Sequence, residues 1–255
     1  MINIPPLLLT SCVGVSANYT QIRDRTLRIE LTIKAIEKWN SISKEFKIVI
    51  CDGSNYNFSN IIHNKFPGQQ IECLFFNNKS ELVARYGKGY GEGEIINYAL
   101  QQSVLLKNAD FFVKCTSKLW VDNFFECLQY WNGTFLCDCY FSYMKSHKFM
   151  RFKSVDTSFY IVNKDYYIDH FSSAYLNVRE AQRHWLEHCF RDIIIAKELK
   201  HFMLPVAPIV RGVSGSQGLE NRYSLIDKAK DTLKRFFISR NTSYLDYIAK
   251  TPDIK

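Results

Sequence analysis

The sequence predicts an α/β protein on a mostly parallel, Rossmann-like sheet with helices on both faces. Three observations carry this expectation. The runs LLLTSCVGV (residues 7–15) and FKIVIC (46–51) are predominantly apolar without strand-like alternation, as suits strands buried on both faces. Helical periodicity lies between them, where Ile29, Ile33 and Ile36 lead to Trp39. The strands also end abruptly in polar turns, CDGSN at 51–55 and KCTSK at 114–118, where an α/β sheet keeps its ligands.

Taken in order, the first strand covers residues 7–15. It lacks a basic leader and a spanning length, so it reads as a strand rather than a signal peptide or membrane helix. A helix follows over 25–39, then a strand over 45–55 closed by Asp-Gly-Ser-Asn turn chemistry. A third strand (71–77) precedes a glycine-rich turn, KGYGEG, and a helix from about residue 94 to 106. DFFVKC (110–115) is the fourth strand. Beyond Asn123 the pattern turns to shorter β-like stretches at 134–143 and 157–163, a helix over 179–199, a polar loop at 211–218 and a basic helix over 223–240. The expected division is a domain of residues 1–220 and a basic helical extension of residues 221–255.

With 255 residues and 47% hydrophobic content the chain can bury a substantial core. Its net charge of +8 points to an anionic partner. The eight cysteines sit mostly in apolar runs without a framework of spacings, the usage expected of reduced thiols in a cytosolic protein.

Asp52, at the end of the second strand, is placed to accept hydrogen bonds from a ribose or base edge. The first strand's Thr10 and Ser11 end beside it. In KCTSK, Lys114 and Lys118 flank Thr116 and Ser117, two cations and two hydroxyls for one anionic group. The glycines at 87, 89, 91 and 93 do not have the spacing of a phosphate-binding loop, and a flexible turn is the plainer reading. Glu92 and Glu94 beside them are candidates for sugar or acceptor hydroxyls, or for stabilising the start of the next helix. GVSGSQG offers backbone amides, Ser214 and Ser216 to phosphates, with Arg211 adjacent.

The ordered set LLLTSC, a helix with Arg25 and Arg28, EFKIVICDGSN, KGYGEGEIINYAL, DFFVKCTSKLWVDN, DTSFYIV, WLEHCF and GVSGSQG resembles small bacterial glycosyltransferases of GT-A type. Such enzymes build O-antigen, capsule or lipooligosaccharide. The resemblance covers roughly residues 7–220. It implies a nucleotide-sugar donor and a glycan or lipid-linked acceptor, with donor contacts from Thr10, Ser11, Asp52, Lys114, Thr116, Ser117, Lys118, Arg211, Ser214 and Ser216. Where those proteins tend to carry Lys-x-Thr-Gly-Arg-Tyr, this chain has Lys114, Thr116, Ser117, Lys118 and Leu119. The Asp-x-Asp that holds manganese or magnesium in typical GT-A enzymes has no counterpart in this strand. The expectation is metal-independent transfer with lysines against the diphosphate, and Asp138 as the reserve metal ligand.

Transfer with inversion needs a group that takes the acceptor's proton, and Glu187 and Asp156 are the candidates. His184, Glu187 and His188 also spell H-x-x-E-H, a zinc-hydrolase pattern that competes for the same glutamate. A nucleic-acid module fits the charge, yet Phe111, Phe112, Phe124 and Phe125 read as core and no nucleic-acid motif is present. Along the final helix, Tyr223, Ile226, Ala229, Leu233 and Phe236 share one face with lysines around it. Packing on the domain is the plain reading; attachment to an anionic inner-membrane surface from the cytoplasmic side is the sharper one.

Overall fold

A computed structural model describes residues 4–17, 20–143, 150–215, 218–221 and 223–250. In chain order its elements are β1 (Leu7–Ser11), α1 (Arg25–Ile42), β2 (Ile48–Asp52), α2 (Ser59–Lys65), β3 (Ile71–Phe75), α3 (Ser80–Tyr86), α4 (Lys88–Gln102) and α5 (Val104–Lys107). There follow β4 (Phe111–Thr116), β5 (Leu119–Val121), α6 (Phe124–Leu128), β6 (Phe135–Tyr143), β7 (Met150–Asn163), α7 (Lys164–His170), α8 (Leu186–Ala196), β8 (Val210–Val213), β9 (Glu220–Asn221) and α9 (Leu225–Ser239).

The main sheet has six strands in the order β3-β2-β1-β4-β7-β6, and β5-β8-β9 form a small second sheet. Strands β1 to β4 are mutually parallel, while β7 runs antiparallel to both β4 and β6. Every residue of β1 and β2 is buried, which explains their unbroken apolar runs. Alternate residues feed two cores. Leu8, Val49 and Phe112 meet Ile95, Ile96 and Ala99 of α4 on one face. Leu7, Leu9, Ile48 and Val113 meet Ile33, Ile36 and Trp39 of α1 on the other. The expected doubly wound α/β sheet is therefore the observed one. The sheet order reverses between β1 and β4, and a crevice opens at such a reversal.

Local expectations hold for α1, which Asp24 caps by accepting the Leu27 amide at 2.7 Å. They fail at the glycines. Residues 88–93 form the first turns of α4, not a flexible turn, and Gly87 at φ +113° separates it from α3. Glycine costs a helix about 1 kcal/mol each relative to alanine. Here close packing requires it: a Cβ on Gly89 would lie 2.9 Å from the Leu186 Cβ, and one on Gly93 2.2 Å from the Tyr175 Cβ. The helix expected over 179–199 begins only at Leu186, because Arg183 adopts the left-handed φ of +58° and Arg179 bridges back to His184. The short strand expected at 157–163 is the second half of the longer β7.

The C-terminal segment packs back on the domain, with Ile238 fully buried and Met203 bridging to Ile248. All eight cysteines are free, and six are buried. Phe112 and Phe124 are core residues, whereas Phe125 is 37% exposed. Among the described residues no helix is long and apolar enough to cross a membrane.

Candidate functional site

A cleft of about 830 Å³ lies beyond the C-terminal ends of β1 and β4 and extends along β7 and β6. That volume is in the range of small-ligand sites. Its lining includes Thr10, Ser11 and Thr116 from the strand ends, Lys118 and Ser214 from the loops, and Glu92, Asp156 and Glu187 from α4, β7 and α8.

Asp52 shapes this cleft without lining it. Its Oδ2 accepts the Val13 amide at 2.9 Å, and its Oδ1 accepts the Ser54 amide, the Ser54 hydroxyl and the Tyr56 amide at 2.8, 2.6 and 3.1 Å. The Ser54 hydroxyl in turn accepts the Gly14 amide at 2.7 Å. A fully buried carboxylate so engaged fixes the loops after β1 and β2 relative to one another. The expected nucleoside contact from Asp52 is thus replaced by a loop-building role.

Cations stand at one part of the cleft. Arg28, on the buried face of α1, donates Nε to the Cys12 carbonyl at 2.6 Å and Nη1 to the Ile22 carbonyl at 2.9 Å. Lys118 is 4% exposed, and among the described residues its ammonium makes no hydrogen bond or ion pair. Burial, and then the Arg28 charge, lower its pKa to about 7. Gly215 lies over both: a Cβ there would sit 2.7 Å from the Lys118 Cε and 3.2 Å from the Arg28 Nη1. Two buried cations side by side, which Asp52 reaches only through space because loop amides engage its oxygens, suit an anion. Arg28 was missing from the candidates of the sequence, though its spacing with Thr32 and Trp39 on the buried face of α1 was a usable signal.

Lys114 is elsewhere. It is fully buried, donates to the Thr157 carbonyl at 2.6 Å and forms an ion pair with Glu92 Oε1. The expectation that it faces a diphosphate fails because β4 turns its side chain into the protein towards α4. Glu92 lines the cleft beside the Thr10 hydroxyl, 3.5 Å away.

The remaining carboxylates gather around Glu187, in the first turn of α8. Burial raises its pKa, and the charges of Glu92 and Asp156 add to that effect. Asp156 is also raised by burial, yet both its oxygens are held, by the Ser158 amide at 2.8 Å and the Tyr140 hydroxyl at 3.1 Å. Asp138 behaves oppositely. Burial would raise it, but Arg235 and Lys234, at 3.1 and 3.4 Å, outweigh that and hold it below the usual carboxylate value. So engaged, Asp138 is poorly suited to the reserve role of metal ligand.

Several candidates fall outside the cleft. Arg211 pairs with Asp122 at 3.0 Å across β8 and β5. Ser117 is buried against the Thr32 hydroxyl at 3.3 Å. Glu94 accepts the Lys79 amide at 3.1 Å and fastens α4 to the start of α3. Ser216 lies outside the described residues. His184 precedes α8 and faces Asp192 at 3.4 Å, while His188 Nδ1 accepts the Trp185 amide at 3.3 Å. The two histidines therefore do not stand one turn apart on a helix, as the zinc reading requires. Among the described residues no group of three or more His, Cys, Asp or Glu is placed to hold a metal ion.

No known protein family matches the sequence, and no curated protein does. Solved structures with some likeness include the inositol-1-phosphate CTP transferase from T. maritima, at 9% identity and TM-score 0.48, covering 92% of this chain and 98% of that one. The bifunctional IspDF from Campylobacter jejuni shares 13% identity at TM-score 0.43, with 91% of this chain aligned to 54% of that one. The bifunctional glycosyltransferase WbbM shares 11% identity at TM-score 0.39, with 76% of this chain aligned to 37% of that one, so the chain spans about a third of it. Likenesses this distant carry no argument, and the fold assignment rests on the sheet order itself.

Proposed function

We propose that the chain is a glycosyltransferase moving a sugar from a nucleoside-diphosphate donor to a hydroxyl of a surface-glycan acceptor. One observation carries the reading: a single cleft joins a buried cation pair, Arg28 and Lys118, to a half-buried carboxyl, Glu187, whose pKa desolvation raises. The nucleoside lies over Thr10 and Ser11, at the ends of β1. The diphosphate meets Lys118, Arg28 and the backbone around Ser214 and Gly215, and Thr116 borders the same space.

The chemistry follows from that placement. The acceptor oxygen forms a bond to the anomeric carbon as the bond from that carbon to the phosphate oxygen breaks, and the acceptor's proton passes to the Glu187 carboxylate. The departing diphosphate gains negative charge beside two cations already in place, which stabilises the transition state more than the ground state. Glu92 orients sugar hydroxyls, and Asp156 is the second candidate base. In this reading Lys118 and Arg28 provide the charge that a divalent cation provides elsewhere. The resemblance in sequence supports an acceptor of O-antigen, capsule or lipooligosaccharide type, made on the cytoplasmic side of the inner membrane.

A thermal-shift panel of UDP, GDP, CMP and their common sugar conjugates tests this, each in EDTA and then with manganese. One nucleotide raising the melting temperature in EDTA, and losing that effect in Lys118→Met, is the expected result. No response to any nucleotide, with or without manganese, would overturn the reading.

A further inference from the structure

Helix α9 is packed inside out. A surface helix ordinarily turns its apolar stripe to the core and its charges to water. Here the charged residues face in: Asp231 accepts the Tyr223 hydroxyl at 3.0 Å and pairs with Lys234 at 3.1 Å, and Lys234 and Arg235 reach Asp138 of β6. Tyr223, Asp231 and Lys234 belong to the cleft lining. The outer face carries Ile226, Ala229, Leu233 and Phe236 at helical spacing, and Ile226, Leu233 and Phe236 are 67%, 55% and 45% exposed. Lys228, Lys230 and Arg240 are the exposed charges of this segment, with the Arg240 guanidinium 4.1 Å over the Phe236 ring. Its two carboxylates are engaged, Asp231 as above and Asp227 with the Ser224 hydroxyl and amide at 2.7 and 2.9 Å. An apolar stripe whose fully exposed charges are all cationic complements an anionic lipid surface, whereas a second copy of this helix would bring like charges together.

We propose that the outer face of α9 lies on an anionic bilayer, and that the inner face makes the same helix a wall of the cleft. The cleft then stands about one helix diameter, roughly 10–12 Å, from the membrane. Resting on the glycosyltransferase reading, this identifies the acceptor as a short glycan still attached to its lipid, because a long chain would carry its end past the cleft.

Flotation of the full-length protein with vesicles of phosphatidylglycerol and phosphatidylcholine, or phosphatidylcholine alone, tests the docking. The wild type is expected to float with the anionic vesicles, and less so at high salt. Ile226→Ser with Leu233→Ser, and separately Lys228→Glu with Lys230→Glu, should each lower the bound fraction by about tenfold or more. The nucleotide thermal shift should stay as in the wild type. Wild-type protein left at the bottom with anionic vesicles would overturn the proposal. So would a wild-type dimer in sedimentation velocity that the serine variant dissociates, since a second copy would then cover the stripe. Vesicle binding without any nucleotide response would uphold the docking and remove the acceptor assignment together with the transferase reading.

Discussion

The Lys114 ammonium, inside β4, is paired with the Glu92 carboxylate on α4, which lines the cleft. Lys114 is fully buried, so this pair is a structural tie between sheet and helix. Removing one partner of a buried pair costs about 3–5 kcal/mol, because the other charge is left stranded. Lys114→Met is expected to lower the stability of the folded protein by that amount in urea unfolding, and Lys114→Met with Glu92→Leu to recover much of it. If Lys114→Met kept full stability and lost only nucleotide binding, Lys114 would return to the phosphate site.

Lys118 is a destabilising charge at low pH. Its folded pKa, about 7, lies well below the ordinary lysine value of 10.5. The unfolded chain therefore binds more protons between those values, and this group's contribution to stability rises with pH across that window. Lys118→Met should raise the melting temperature below pH 7, with the gain shrinking towards pH 10. The bound diphosphate favours the charged lysine, so donor affinity should fall as pH rises through about 7, with proton uptake seen calorimetrically in buffers of different ionisation enthalpy. A pH-independent affinity would place the diphosphate away from Lys118.

Asp138 gives the opposite acid response. Its folded pKa is depressed by Arg235 and Lys234, so its stabilisation is present above the unfolded carboxylate pKa and is lost as pH falls through the folded value. Asp138→Asn should flatten the acid limb of the stability profile and loosen α9, readable as faster amide exchange over residues 225–239. Unchanged exchange there would mean that the ion pairs do not hold the helix.

Glu187→Gln is expected to cut kcat by about 10²–10⁴-fold while leaving donor binding within a few fold, as for a group that takes a proton only in the transition state. Asp156→Asn should have a smaller effect on kcat, because Ser158 and Tyr140 hold its oxygens. The reverse ranking would make Asp156 the base.

The sheet was legible in the sequence because β1, β2 and β4 bury both faces, and such strands show as continuous apolar runs. The start of α4 was not, since its glycines answer to Leu186 and Tyr175, far away in the chain. The break before α8 was hidden too: a left-handed Arg183 leaves no mark on hydrophobic spacing. Lys114 and Lys118 look alike in KCTSK, and only the twist of the strand end separates them, one into the core beside Glu92 and the other into the cleft beside Arg28. Asp52 was read from its strand-end position as a ribose or base contact, but the amides it binds belong to loops whose course no local pattern gives.

Glu92 rides on α4 and Glu187 on α8, and those helices approach closely at Gly89, where an added Cβ would lie 2.9 Å from the Leu186 Cβ. The separation of Glu92 and Glu187 across the cleft is therefore set in part by a glycine. A single methyl at residue 89 would act as a shim, pressing the two helices apart without altering any residue of the cleft lining. On the proposed function, substrate preference could thus be retuned from a position outside the lining, and a search confined to the lining would overlook it.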